Sequence, residues 1–217
     1  MSEVLLTIIP VFLSIILHEI AHGYAALKFG DDTAARCGRL SLNPLNHVDW
    51  FGTVFMPLAL WWSQTPFLFG WAKPVPVNFN RLRNKKRDTV IVASAGILVN
   101  AVLAATAIFL ILNLQPEFDT PLQIFLSNLL SINLALIFLN ILPIPPLDGS
   151  KIFFGWIDKL WARKYVQAER QGMAALIVLV AFVPVVERMF GLSSFEMFDP
   201  LGWYMYKMFE LFLGLFQ

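Results

Sequence analysis

His18-Glu19-Ile20-Ala21-His22 is the stretch of this chain whose residue types and spacing most directly imply chemistry. Histidines four apart on a helix share one face, about 6 Å apart along the axis, so two imidazoles can reach one metal ion. A glutamate beside the first histidine can take a proton from a water that the metal acidifies. Zinc held this way makes a hydroxide-like nucleophile available near pH 7, which is the chemistry of metal-assisted hydrolysis. The bland reading is two satisfied core histidines and a helix-facing glutamate. Within an apolar segment that reading is weak, because ionisable groups in lipid are costly unless they serve a site.

Catalytic zinc takes three protein ligands and leaves one position open. The remaining histidine, His47 in NPLNHVDWFG, reads as a polar loop residue at the interface. Asp148 is the better third ligand. Pro143, Pro145 and Pro146 break a helix just before it, and Gly149 follows. An unwound segment with a carboxylate at membrane depth is tolerated where it lines a cavity or a site. One Zn2+ per chain is therefore expected on His18, His22 and Asp148, with Glu19 as general base.

These residues need a scaffold, and composition identifies its class. The chain has 217 residues, 58% hydrophobic and 14% charged, with a mean hydropathy of +0.66. A soluble domain carries about 25% charge and could not hide this much apolar surface. A single membrane-embedded domain over 1–217 is expected, with a core over about 4–155 and accessory helices over about 171–217. A net charge of +1 gives no argument for a nucleic-acid partner. The lone Cys37 excludes an internal disulfide and a cysteine-rich metal cage. Glu3 stands where a signal peptide would carry a base, so the first segment reads as a retained helix.

Six hydrophobic segments can be marked, against the roughly 20 apolar residues that a crossing requires. They are Val4 to Leu27, Phe51 to Ala72, Thr89 to Leu114, Leu122 to Leu142, Met173 to Val186, and Leu201 to Phe216. Pro10 in the first is tolerable because neighbours can satisfy the backbone group it frees. Cys37 to Leu42 alternates weakly and reads as a short strand closed by the turn Asn43-Pro44. The expected fold is an all-α polytopic membrane protein with five to six hydrophobic segments, one of them re-entrant, and a short β element between the first two.

Charge sets direction. Arg81, Arg83, Lys85, Lys86 and Arg87 crowd one loop; Lys151, Lys159, Arg163, Lys164 and Arg170 crowd another; QPEFDTP between them has no base. The basic loops are expected in the cytoplasm. Ligand bonds of about 2 Å require the ends of the first and fourth segments to lie on one side. Parity then makes Phe51 to Ala72 the re-entrant segment, with Gln64-Thr65-Pro66 near its tip, and puts the metal toward the cytoplasmic side.

Taken together, His18-Glu19-Ile-Ala-His22, Gly96-Ile-Leu-Val-Asn100 and Asn140-Ile-Leu-Pro-Ile-Pro-Pro-Leu-Asp148-Gly149 resemble the site-2 protease family of intramembrane zinc metalloproteases. The resemblance covers roughly residues 4 to 155. It implies that His18, His22 and Asp148 hold zinc and that Glu19 is the base. It also implies that Asn100 and Asn140 line the cleft and orient substrate or the tetrahedral intermediate; the alternative for each is helix–helix adhesion. Ser150 stands where many members have a second glycine, and the motif helix is expected to come first, without the leading helix or PDZ domain of longer members. The stretch from Leu42 to Arg87 is similar to a compact subgroup described as M50-type peptidases.

The expected activity is hydrolysis of peptide bonds in or near transmembrane segments, in a multi-pass prokaryotic cell-membrane protein whose partners are the bilayer and a membrane-protein substrate. The Cys37 to Leu42 strand could pair with an extended substrate. A catalytically inactive zinc-bound scaffold, a metal transporter, and a hydrolase of small lipid-soluble molecules are the rival readings.

Overall fold

The computed structural model describes residues 2–62, 70–178 and 200–214. Three helices within it are long and apolar enough to cross a membrane. They are α1 (Ser2–Lys28), α4 (Lys85–Leu114) and α5 (Pro121–Asn140). At 1.5 Å per residue they measure about 40, 45 and 30 Å, against a hydrocarbon core of about 30 Å. Each packs on the other two. Between α1 and α4 lie the short α2 (Thr33–Arg36), a 3₁₀ turn at Pro44–His47, a π-helical turn at Trp50–Phe55 and α3 (Met56–Trp62). After α5 come α6 (Asp148–Phe154), α7 (Leu160–Val166), α8 (Glu169–Ile177) and α9 (Pro200–Gly214).

Local chemistry sets the helix limits. The Asn84 side chain caps α4 by accepting from Arg87 N–H, and Gln115 ends it with a φ of 43°. Thr120 caps α5, and Pro121 occupies its first turn, where no N–H is needed. Pro143, lacking an N–H, ends α5. Leu142 N–H turns back to Leu139 O at 3.2 Å, and the Phe138 carbonyl accepts from Tyr204 of α9 at 3.0 Å.

Pro10 opens the same kind of gap inside α1. It cannot donate to Leu6 O, and Asn128 Nδ2 of α5 donates there instead, at 3.2 Å. A neighbouring helix thus restores the bond that the proline deletes.

The β element is corrected: no strand occurs among the described residues. Gly38, with φ of 63°, ends α2 by sending its N–H to Ala35 O while Arg39 N–H reaches Ala34 O. That is the paired bonding of a Schellman cap, and it consumes the first half of the alternating run. A substrate strand therefore has no strand at 37–42 to pair with.

The expectation of five to six segments with one re-entrant is corrected as well, to three candidate spans among the described residues. The apolar stretch Trp50–Trp62 is too short to cross. Residues 63–69, including the expected tip at Gln64-Thr65-Pro66, lie outside the described residues. From 70 onward the chain is back beside its own start. Trp71 N–H donates to Gly52 O at 3.2 Å, Thr53 Oγ1 to Trp71 O at 2.9 Å, and Lys73 N–H to His47 O at 2.8 Å. Of the segment expected at Met173 to Val186, only its start in α8 and Val178 is described. Helix α9 covers 15 described residues, fewer than a span requires, and the residues on either side of it lie outside the described ones.

Candidate metal centre

Ser14, His18 and His22 follow one another at helical spacing of four on α1, and all are buried. The two histidines face Asn100, Gly96 and Val92 of α4, spaced by four in the opposite sense, and Ser14 meets Asn133 of α5. His22 Nδ1–H donates to Val92 O at 2.7 Å. His18 Nδ1–H donates to Asn100 Oδ1 at 2.5 Å. Gly96 sits between: a Cβ there would lie 2.5 Å from both His18 Cε1 and His22 Nε2. Only a residue without a side chain lets α4 approach both rings.

With both Nδ1 atoms committed to acceptors, the Nε2 lone pairs point inward. The two Nε2 atoms are 3.0 Å apart, and each is 3.2 Å from Asp148 Oδ2. Asp148 opens α6, and its side chain is only 13% exposed. Two side chains hold the loop before it. Tyr165 of α7 donates to Pro143 O at 2.6 Å, and Lys151 Nζ donates to Pro146 O at 3.2 Å. Lys151 also pairs with Glu169 of α8 at 3.1 Å.

Three bare acceptors facing one another, with Asp148 Oδ2 buried and lacking a hydrogen-bond partner, repel unless a cation lies between them. In a tetrahedral zinc site with bonds of about 2.0–2.1 Å, neighbouring ligand atoms lie about 3.3 Å apart. The observed triangle fits that edge. The group His18, His22 and Asp148 can hold a metal ion.

Glu19 projects from the adjacent face of α1, and its Oε2 accepts from Val75 N–H at 2.7 Å. Gly23, one turn on, makes room for that segment: a Cβ there would come within 2.9 Å of Val75 Cγ1. The backbone N–H of Val75 therefore holds one oxygen of the carboxylate.

The structure brings His18, His22 and Asp148 together, with Asn100 directly behind His18. Asn140 is half-buried, and its side-chain amide donates to Leu136 O one turn back in its own helix, at 3.0 Å. His47 is buried outside the cluster, donating from Nε2 to Ser41 O at 2.8 Å. Sequence reasoning missed Asn133 and Ser14. Both are fully buried and linked to Asn100. An asparagine in the middle of an apolar span was the available signal.

A family model described as peptidase family M50 matches residues 116–185. "Putative zinc metalloprotease YwhC" of Bacillus subtilis (strain 168) is 36% identical over 217 residues, covering 97% of this chain and 92% of its own length. "Putative zinc metalloprotease Rip2" of Mycolicibacterium smegmatis is 28% identical over 194 residues, covering 88% of this chain and 71% of its own. No solved structure matches the chain.

Proposed function

Because the chain belongs to peptidase family M50, we propose that it is an intramembrane zinc metalloprotease that cuts peptide bonds in or near the transmembrane segments of membrane proteins. A metal-dependent, protease-like function follows from family and cluster together. The observation that carries the finer reading is the depth of the site. His22 and His18 lie six and ten residues from the end of α1, about 9 and 15 Å along a membrane-length helix.

In this reading His18, His22 and Asp148 hold one zinc ion per chain. Zinc there supplies Lewis acidity, which polarises a scissile carbonyl and makes water acidic enough to deprotonate near neutral pH. Glu19 takes the proton of the attacking water at one carboxylate oxygen and delivers it to the leaving amine. The Val75 N–H on Oε2 holds the carboxylate in one orientation during both transfers. A helical substrate must unwind to be cut, since its peptide bonds are shielded and already hydrogen-bonded. Asn140 is assigned to orienting the opened substrate.

The site is proposed to face the cytoplasm. Lys86 of one basic loop pairs with Asp158 of the other at 3.1 Å, so both loops share a side, as the charge rule requires. Asp148 follows the end of α5 on that side.

The test uses protein purified in detergent and a tagged single-span reporter. Wild type should hold about one zinc per chain, and His22→Ala and Asp148→Ala should lose it while remaining folded. Glu19→Gln should keep zinc and lose cleavage by at least about a hundredfold, the range of general acid–base contributions. Cleavage by Glu19→Gln at the wild-type rate would overturn the mechanism.

A further inference from the structure

Behind His18 runs a chain of buried amides that the hydrolytic reading does not use. Asn100 Nδ2 donates to Asn133 Oδ1 at 2.8 Å. Asn133 Nδ2 donates both to Ser14 Oγ at 2.8 Å and to Leu129 O at 2.7 Å. Ser14, Asn100 and Asn133 are each fully buried, so water cannot substitute for any partner.

The direction of this chain is set at its far end. A backbone carbonyl only accepts, so Leu129 O obliges Asn133 to turn its NH2 group that way. The Asn133 carbonyl oxygen must then face Asn100. Asn100 must answer with its own NH2, which turns its oxygen toward His18. An oxygen at that position requires the proton of His18 to sit on Nδ1. Nε2 is then left bare, on the side of His22 and Asp148.

We propose that Asn133 is a positioning residue for the metal centre: anchored on Leu129 O and relayed through Asn100, it selects the His18 tautomer whose Nε2 is free to bind metal. His22 needs no such relay, because the Val92 carbonyl sets its tautomer directly. At His18 α4 offers an amide side chain, which can turn either way unless a third helix holds it. The bonding order α1–α4–α5–α1 closes this loop across all three long helices. Ser14 adds an acceptor but does not set the direction, since the Leu129 carbonyl does that alone. The inference rests on the reading that His18 is a metal ligand.

The experiment uses the full chain in detergent. ¹⁵N-histidine NMR of the metal-free protein reads the tautomer, with the His18 signal identified by its loss in His18→Gln. Zinc affinity is measured by competition with a chelator. Wild-type His18 should carry its proton on Nδ1. Asn133→Leu should mix the two tautomers and weaken zinc binding at least about tenfold, the usual scale for partners behind a ligand. Ser14→Ala should stay within about threefold, since it leaves the direction-setting bond intact. Packing damage alone would weaken binding without moving the tautomer. Metal-free His18 protonated on Nε2, or Asn133→Leu binding zinc like wild type, overturns the proposal. If Asn133→Leu does not fold, Asn133→Ala is read in the same two ways, and a wild-type His18 protonated on Nε2 overturns the proposal without any variant. Neither readout uses proteolysis. A chain that binds zinc through this tautomer yet cuts nothing would sink the proposed function and leave the inference standing.

Discussion

At the scale of single residues, the site depends on what is missing at Gly96 as much as on what is present. Gly96→Ala places a methyl group against both imidazoles. It should weaken zinc binding at least about tenfold, as disturbing the surroundings of a ligand does, with the helices still formed; chelator competition and circular dichroism measure the two. Unchanged affinity would mean that α4 can retreat without cost. The cluster of His18, His22 and Asp148 was legible from sequence. Two histidines and a glutamate at this spacing inside an apolar run have few other uses, and the prolines before Asp148 announced the helix break that precedes it. Asn133 and Ser14 were not legible. A single polar residue in a membrane helix has the same signature whether it joins helices or orients a ligand. Only the atoms it meets distinguish the two.

At the scale of elements, polar side chains repair the backbone where prolines interrupt it. Asn128→Leu should cost about 0.6 kcal/mol, the average for a bond between membrane helices. In a Pro10→Ala background the cost should fall toward zero, because the backbone N–H regained at position 10 would return to Leu6 O. Unfolding of the four proteins in mixed micelles gives the coupling, and equal costs in both backgrounds would contradict the repair. A second latch is Asp31, which is buried and joins α2 to the segment before α4. Its carboxylate accepts from Thr33 N–H at 3.1 Å and from Asn78 N–H at 2.6 Å. Burial alone would push this carboxyl up, but the bonds from Thr33 and Asn78 hold it below the ordinary carboxylate value. A lowered value in the folded state means that the latch contributes fully above the ordinary value and is lost as pH falls through the lowered one. Proteolysis between residues 29 and 84 should therefore accelerate in acid for wild type, and Asp31→Asn should be cut quickly at neutral pH too. Helices α1, α4 and α5 were legible because apolar length is a strong signal. The strand at Cys37 to Leu42 was misread because Gly38 terminates a helix there, and six residues of alternation cannot outweigh one left-handed cap.

At the scale of the whole molecule, three long helices, two basic loops bridged by Lys86 and Asp158, and the acidic loop 115–120 define its polarity. In a Cys37→Ser background, Lys85→Cys should react with an impermeant maleimide only after the membrane is opened. Glu117→Cys should react from outside in intact cells. The reverse pattern would put the metal centre on the outer side. One more consequence follows from the bonds that join Ser14, His18 and His22 to α4 and α5. On a growing chain, the first helix enters lipid carrying a polar face whose partners have yet to be translated. The third long helix closes that face, and Asp148 arrives after it. Metal capture is thus expected to be a late event in biogenesis, since a chain interrupted partway carries only part of the His18, His22 and Asp148 cluster into the membrane.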